Sequence, residues 1–440
     1  MTMTMHPSDL EGSTPVPLAP RKAAETGLEE GFLLGLMMKI VVRLGCERPS
    51  EISRAMRLRV RVVEELLEIA RLRGLVEHRG QPNANFHAEM RFMPTDRGRN
   101  WAAEAFALSE WVGPTPVTLD AFLAQARAQS VRDEVLTRAR LDEVFSGLVI
   151  EDTVMRKIGP AANSGASILL YGPAGNGKSS IAEALCQSYQ GVVFLPHAIE
   201  VDNQVITLFD PSVHVPLDQE TAEDGALRRR DGQDMRFVAC RRPAVIAGGE
   251  LNLDMLDLTF SATSRVYEAP TQLKAAGGIF VVDDFGRQRH EPQDFVNRLI
   301  IPLEKKVDYL TLDTGRKFQT PFDLLMVFST NTPPNDLLDD AGLRRLRHKI
   351  LIGSPDREAF IRIFVSTASQ CDLRLNEEVL AYVLVDLYGQ HPELGFQAFH
   401  PKFLIEQAQA ICAYEGIEPV LTSEIMRRAW DQLLASSRVS

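Results

Sequence analysis

Residues 167–179 read SILLYGPAGNGKS, and SIAEALCQSY follows from Ser180 onward. The apolar residues 167–171 predict a buried strand, and the residues after Ser179 predict a helix. Glycines between them let backbone N–H groups curl around phosphate oxygens. Lys178 can then reach the β and γ phosphates of a nucleotide, while the Ser179 hydroxyl can ligate magnesium. The spacing GxxxxGK[ST] between a strand and a helix therefore predicts a nucleotide-binding loop.

This prediction covers the whole loop and the first turn of the helix. We expect ATP and Mg²⁺ as the ligands. A chance glycine-rich turn is the alternative, and the flanking strand and helix disfavour it. The residues expected to contact the nucleotide here are Gly172, Pro173, Ala174, Gly175, Asn176, Gly177, Lys178, Ser179 and Ser180.

A second apolar strand ends in two acids. Residues 278–284 read GIFVVDD, which is typical of the strand that supplies a magnesium-holding carboxylate in phosphoryl-transfer proteins. Asp283 is expected to share the metal with Ser179. Asp284 stands where a glutamate usually polarises the attacking water. Aspartate is one methylene shorter, so slow hydrolysis is an alternative. The alternative is an ordinary strand end with solvated acids.

Two further motifs carry polar groups suited to phosphate chemistry. Residues 326–331 read MVFSTN, which would place the Asn331 amide beside the γ phosphate unless it merely caps a turn. Residues 339–347 read DDAGLRRLR, and the spacing predicts Arg344 and Arg347 on one face of a helix end. An arginine given to a neighbour's phosphate stabilises transition-state charge. The alternative for both is a solvated surface arginine.

The composition is that of a globular protein. The 440 residues are 45% hydrophobic and 24% charged, with a formal net charge of −11. The five cysteines are scattered without a CxxC pair, which predicts neither a disulfide framework nor a zinc cluster and fits the cytoplasm. The apolar residues 31–42 are too few to span a bilayer and include Lys39, so we expect a buried helix and no membrane partner.

The charge is unevenly distributed. Residues 39–99 carry 13 Lys and Arg against 8 Asp and Glu, whereas the rest of the chain is acidic. Three short predicted helices followed by a predicted hairpin in residues 27–100 are typical of a winged helix. Such a module binds DNA or docks on protein, and both alternatives stay open because three glutamates share the third helix with its arginines. The arginines considered for DNA contact are Arg57, Arg59, Arg61, Arg71 and Arg73.

These patterns divide the chain into five predicted regions. The central one alternates strands and helices, which predicts an α/β fold with a parallel sheet flanked by helices. Residues 192–195 are expected to be its second strand. The regions are a disordered N-terminus (1–26), a winged-helix-like domain (27–100), a helical connector (101–147), an α/β ATPase core (148–354) with an insertion at about 196–275, and a helical lid (355–440).

The order of these motifs resembles that of the AAA+ ATPases. Residues 331–347 are similar to the second region of homology of the AAA group, and residues 267–278, YEAPTQLKAAGG, are similar to MoxR-like ATPases. The resemblance covers residues 148–437 and implies a ring, commonly a hexamer, with sites between subunits. It also implies that Arg344 and Arg347 act on the neighbour's nucleotide and that Val149 and Ile150 touch adenine.

The sequence thus predicts an AAA+ protein that converts ATP and water to ADP and phosphate. The expected output is remodelling of a macromolecular partner, with a protein client preferred. One alternative is a DNA-directed ATPase or regulator recruited through the winged helix. The other is a nucleotide-switch scaffold that binds ATP and hydrolyses it slowly, which the shorter side chain of Asp284 keeps open.

Overall fold

The structure, a computed structural model, describes residues 14–79, 90–217, 232–371, 373 and 375–437. Residues 1–13 of the stretch expected to be disordered lie outside this range. The expectation is wrong for residues 14–26, which have specific partners. Leu18 forms a β-bridge with Gln233, and Ala23–Thr26 is a 3-10 helix whose Ala23 N–H donates to Glu65 at 3.0 Å.

An apolar core holds the N-terminal elements together. They are α1 (Glu30–Leu44), α2 (Pro49–Met56), α3 (Val60–Leu72), β1 (Val76–Arg79), β2 (Arg91–Pro94) and α4 (Asp96–Leu108). The apolar run in α1 is buried, as its composition predicts, and meets the apolar face of α3. β1 and β2 form an antiparallel pair. The region boundary expected at residue 100 is wrong, because it falls inside α4, which packs against α1.

A connecting segment leads to the α/β core. It contains β3 (Val117–Thr118), α5 (Leu119–Ala128), α6 (Arg138–Val144) and α7 (Asp152–Asn163). β3 pairs in parallel with the first strand of the insertion, so the connector is built into the insertion's sheet.

The central region alternates strands and helices. Its elements are β4 (Ile168–Tyr171), α8 (Lys178–Cys186), β5 (Val192–Pro196), β6 (Ala198–Val201), β7 (Gln204–Thr207), β8 (Phe237–Arg241), β9 (Ala244–Ala247), β10 (Thr259–Ser261), β11 (Val266–Glu268), α9 (Thr271–Lys274), β12 (Ile279–Val282), α10 (Pro292–Lys305), β13 (Val307–Thr311), β14 (Lys317–Pro321), β15 (Leu325–Thr330), α11 (Pro334–Leu337), α12 (Asp340–Arg345) and β16 (His348–Leu351).

Five parallel strands form the sheet that positions the site, in the order β16-β4-β15-β12-β9. One face packs on α7 and α8, with Ile158 and Ile181 in its core, and the other packs on α10 through Phe295 and Leu299. The predicted α/β class, a parallel sheet flanked by helices with a helical C-terminal region, is confirmed.

The second strand of this sheet was assigned wrongly from sequence. Residues 192–195 lie in β5, which pairs antiparallel with β8 in a separate two-stranded sheet. The edge position next to β12 belongs to β9 instead. The rest of the insertion forms a five-stranded sheet in the order β10-β11-β7-β6-β3, called the insertion sheet below.

The chain ends in a helical region with its own apolar core, centred on Phe360, Leu404 and Trp430. Its elements are α13 (Arg357–Gln370), α14 (Glu377–Ala381), a π-helical segment (Tyr382–Leu387), α15 (Tyr388–Gln390), a 3-10 turn (Pro392–Leu394), α16 (Phe399–Glu415) and α17 (Ser423–Ser437). None of the helices in the described ranges is both long and apolar enough to cross a membrane.

Candidate active site

The phosphate-binding loop, residues 172–179, joins the carboxyl end of β4 to the first turn of α8. Gly172 has a φ of 141°, and a Cβ there would lie 2.3 Å from the Ile352 carbonyl oxygen, so a side chain does not fit. Gly175 and Gly177 also have positive φ, 76° and 85°. The glycines predicted from sequence are therefore needed for the fold of the loop itself.

The Lys178 ammonium points into this loop. Its Nζ donates to the carbonyl oxygens of Gly172 at 3.0 Å and Pro173 at 2.8 Å. Burial lowers the pKa of Lys178, and the nearby carboxylates of Asp284 and Asp283 oppose that shift. The lysine is held at the centre of the loop with two acids nearby, where it can meet a phosphate.

Asp283 follows β12, and its side chain accepts hydrogen bonds from residues of α8 and β15. Ser179 Oγ donates to Asp283 Oδ1 at 3.0 Å, and Ser329 Oγ donates to the same oxygen. Hydroxyl and carboxylate oxygens are the ligands that Mg²⁺ prefers. The structure therefore brings the two predicted magnesium ligands, Ser179 and Asp283, into direct contact, and their chemistry fits that ion.

Asp284 comes after β12 and Asn331 directly follows β15, so both lie at the carboxyl edge of the sheet. The Asn331 Nδ2 donates to Asp284 Oδ1 at 3.5 Å, a long bond at the limit of hydrogen-bonding range. Asp284 has a φ of 49°, a left-handed conformation that non-glycine residues rarely adopt. The two residues predicted to orient water are therefore neighbours, and one has an unusual backbone conformation.

Arg344 and Arg347 are both exposed, and neither forms a hydrogen bond or ion pair within the described ranges. The expectation that they share a helix face is wrong. α12 ends at Arg345, and the buried Leu346 leaves helical geometry with ψ of 88°, so Arg347 belongs to the entry into β16. Arg347 precedes His348, which pairs with the start of β4. Arg347 therefore lies at the sheet edge opposite its own phosphate-binding loop.

The remaining predicted contact residues lie around the loop and before α7. Pro173 and Ala174 are exposed, and Ser180 is half-buried in the first turn of α8. Val149 and Ile150 are half-buried in the segment leading into α7, and Ile150 packs against the core on that face of the sheet. Their contact with adenine stays a prediction.

Sequence reasoning missed Ser329 and Gln288. Ser329 could have been found from strand register, because Val282 pairs with Phe328 and the next residue on each strand, Asp283 and Ser329, must then be neighbours. Gln288 gives no such signal, since it follows the strand in an irregular turn. Its amide contacts the backbone on both sides of Asp284.

The C-terminal helices contact the phosphate-binding loop directly. Asn176 accepts from the Ala398 N–H at 3.2 Å and donates to Ser354 Oγ at 3.4 Å. The Phe399 N–H donates to the Gly175 carbonyl at 2.9 Å, and its ring lies where a Gly175 Cβ would point. The start of α16 is thus fastened to the loop; we call these three bonds the loop latch.

The elements from α1 to α4 form what we call the N-terminal unit. Two of the arginines considered for DNA contact form ion pairs within it. Arg71 forms an ion pair with Glu68 at 2.6 Å, and Arg73 pairs with Glu30. Glu65, on the same helix, accepts from the N-terminal segment. Two of the five candidate arginines are therefore already paired with glutamates, which reduces their attraction for a polyanion.

Comparison with known proteins bears on parts of the chain. Residues 356–432 match a family described as a domain of unknown function, DUF8689, and no curated protein matches the chain. Among solved structures, NtrX from Brucella abortus is 14% identical, with a TM-score of 0.38 and coverage of 76% of this chain and 62% of that chain. This chain thus spans less than two-thirds of NtrX.

Variants of RuvB from Thermotoga maritima are also similar. One is 11% identical with a TM-score of 0.37, covering 64% of this chain and 70% of that chain. Another is 12% identical with a TM-score of 0.34, covering 69% and 73%. The family match is confined to the C-terminal helices, and the matched structures are distant in sequence.

Proposed function

We propose that this chain is an AAA+ ATPase that hydrolyses ATP to ADP and phosphate. The observation that carries the proposal is the contact of Ser179 with Asp283 beside the buried Lys178, at the carboxyl edge of a parallel sheet. A loop of this shape binds phosphate through backbone N–H groups and the helix N-terminus.

Each residue then has a separate task. Lys178 and the loop amides hold the β and γ phosphates, while Ser179 and Asp283 would hold Mg²⁺. When bound, the metal neutralises charge on the phosphate oxygens. Asp284 and Asn331 orient the attacking water at the exposed end of their strands. Ser180 contacts the nucleotide from the first turn of α8.

We also propose that the chain forms a homo-oligomer in which two arginines act on the nucleotide of a neighbouring subunit. Arg344 and Arg347 lack partners within the described ranges, and Arg347 lies at the sheet edge opposite its own loop, which suits donation to a neighbouring subunit. A partner arginine can raise phosphoryl-transfer rates by about 10³–10⁵. We propose a ring, by resemblance a hexamer, that remodels a protein client, with the insertion sheet and N-terminal unit as contact surfaces.

Two alternatives differ in what they predict. A DNA-directed ATPase would be stimulated by duplex and lose binding steeply with salt. The ion pairs of Arg71 and Arg73 disfavour it. A slow nucleotide switch would bind ATP tightly with negligible turnover, as the short side chain of Asp284 allows.

The test measures ATP turnover per subunit against protein concentration for the wild type, Arg344→Ala and the control Arg97→Ala, which alters an exposed arginine in α4. We expect wild-type specific activity to rise with concentration, and Arg344→Ala to bind ATP without turnover. Mixing Arg344→Ala with Lys178→Ala subunits should restore activity, because each supplies what the other lacks. Flat activity that Arg344→Ala leaves unchanged would refute action across subunits.

A further inference from the structure

The turn after β12 has an unusual backbone. Asp284 has a φ of 49° and Gly286 a φ of 106°, and the Arg287 N–H donates back to the Asp284 carbonyl at 2.9 Å. Aspartate adopts left-handed geometry more readily than most residues with a side chain, but the conformation still costs energy that the surroundings must offset. Something must therefore hold this turn in place.

Two bonds to β15 hold Phe285 within the turn, and the Gln288 side chain adds a second restraint. It is 9% exposed, and its Nε2 donates to the carbonyl oxygens of Asp283 at 3.1 Å and Asp284 at 3.4 Å. The same nitrogen donates to the Gly248 carbonyl at 3.1 Å, just beyond β9. Its Oε1 accepts from the Gly286 N–H at 2.9 Å. One amide thus ties both ends of the turn to the neighbouring strand.

The conformation of this turn sets where the Asp284 carboxylate goes. Strand residues alternate between faces, so an extended Asp284 would point away from Asp283. The left-handed turn interrupts that alternation. In the structure the Asp284 carboxylate accepts a hydrogen bond from the Asn331 amide at 3.5 Å, at the end of the neighbouring strand β15.

We propose that Gln288 is a positioning residue for Asp284. The inference rests on the proposed ATPase function: the left-handed turn sets where the Asp284 carboxylate lies, and Gln288 helps to fix that turn. Gln288 forms no described contact with Lys178 or Ser179 and reaches Asp283 only through its backbone carbonyl, so its loss should affect water orientation more than nucleotide binding.

The test uses the full chain with Gln288→Met, which keeps length and removes the hydrogen bonds, and Gln288→Asn, which keeps an amide but shortens its reach. Gln370→Met, at an exposed position on α13, is the matched control. For each we would measure kcat and KM for ATP, the Kd of a non-hydrolysable ATP analogue, and the melting temperature. Misplacement of a reacting group by about 1 Å costs on the order of 100-fold in rate.

We therefore expect kcat to fall by about 10- to 100-fold in Gln288→Met, with KM and Kd little changed. Adding Asp284→Glu should recover part of this loss, since a longer side chain reaches from a relaxed turn, whereas a purely structural role would not be rescued. If both Gln288 variants keep the wild-type kcat while Asp284→Asn is inactive, the positioning role of Gln288 is refuted and the proposed ATPase function stands. If the wild type does not hydrolyse ATP, the proposed function falls and the positioning role with it.

Discussion

The sharpest stability prediction concerns a buried ion pair at the junction between the N-terminal segment and the insertion. The side chains of Asp234 and Arg236 are 3% and 5% exposed. Arg236 Nη2 donates to one carboxylate oxygen at 2.8 Å, and its Nε bridges both oxygens at 3.1 Å. The Asp234 N–H donates to the Pro17 carbonyl at 2.8 Å, so the pair sits where residues 14–20 cross the insertion.

Replacing Arg236 by methionine would leave the Asp234 carboxylate buried with its main partner gone. Removing one member of a buried pair typically costs about 3–5 kcal/mol. Methionine fills most of the volume, so the cavity contribution is small and the charge dominates. The double variant Asp234→Ala/Arg236→Met should be less destabilised than Arg236→Met alone, because no unpaired charge remains.

Because a chain of this size need not unfold in one step, the assay is local. Hydrogen exchange of the Ala19 amide, which donates to the Gly232 carbonyl at 2.7 Å, reports opening at this junction. In Arg236→Met that amide should exchange about 100-fold faster or more, in line with the lost free energy. The reasoning is refuted if exchange is unchanged, or if the double variant opens more readily than the single one.

Three further predictions follow from single contacts. Ser329→Ala removes a donor to Asp283, so the Mg²⁺ concentration for half-maximal ATP turnover should rise by about tenfold, and an unchanged magnesium titration would contradict this. Gly172→Ala should abolish binding of a fluorescent ATP analogue, because its Cβ would meet a carbonyl oxygen at 2.3 Å, whereas Gly353→Ala, with nothing within 4 Å, should bind normally. Burial lowers the pKa of Lys39 from 10.5 to about 8. The unfolded chain therefore binds this proton more tightly, and the stability of the N-terminal unit should rise by up to about 3 kcal/mol between pH 8 and 10.5. Lys39→Met should remove that rise, which is measured by comparing the free energies of unfolding of the variant and the wild type across this pH range. A wild-type free energy of unfolding that falls as the pH rises would contradict the prediction.

The sequence predicted correctly those elements that are determined by residues close together in the chain. The phosphate-binding loop follows an apolar strand and opens a helix, so its strand-loop-helix form could be predicted. The same holds for the apolar α1, which is buried as expected.

Contacts between distant segments could not be predicted in this way. The residues of β5 are more apolar than those of β9, yet β9 occupies the sheet edge beside β12, and β5 pairs with β8 in a separate sheet. Arg344 and Arg347 have helical spacing, but Leu346 turns inward to fill the core and ends the helix between them. Burial of one leucine there outweighs the local periodicity.

The loop latch has a mechanical consequence. Because Gly175 and Asn176 hold the first residues of α16, any shift of these two residues must either break those bonds or carry the helix with it. α16 has 17 residues, which corresponds to a rod of about 25 Å. A tilt of about 10° at its anchored end would sweep the far end through roughly 4 Å. A small movement of the phosphate-binding loop backbone is thus amplified along α16 into a larger displacement of the C-terminal helices.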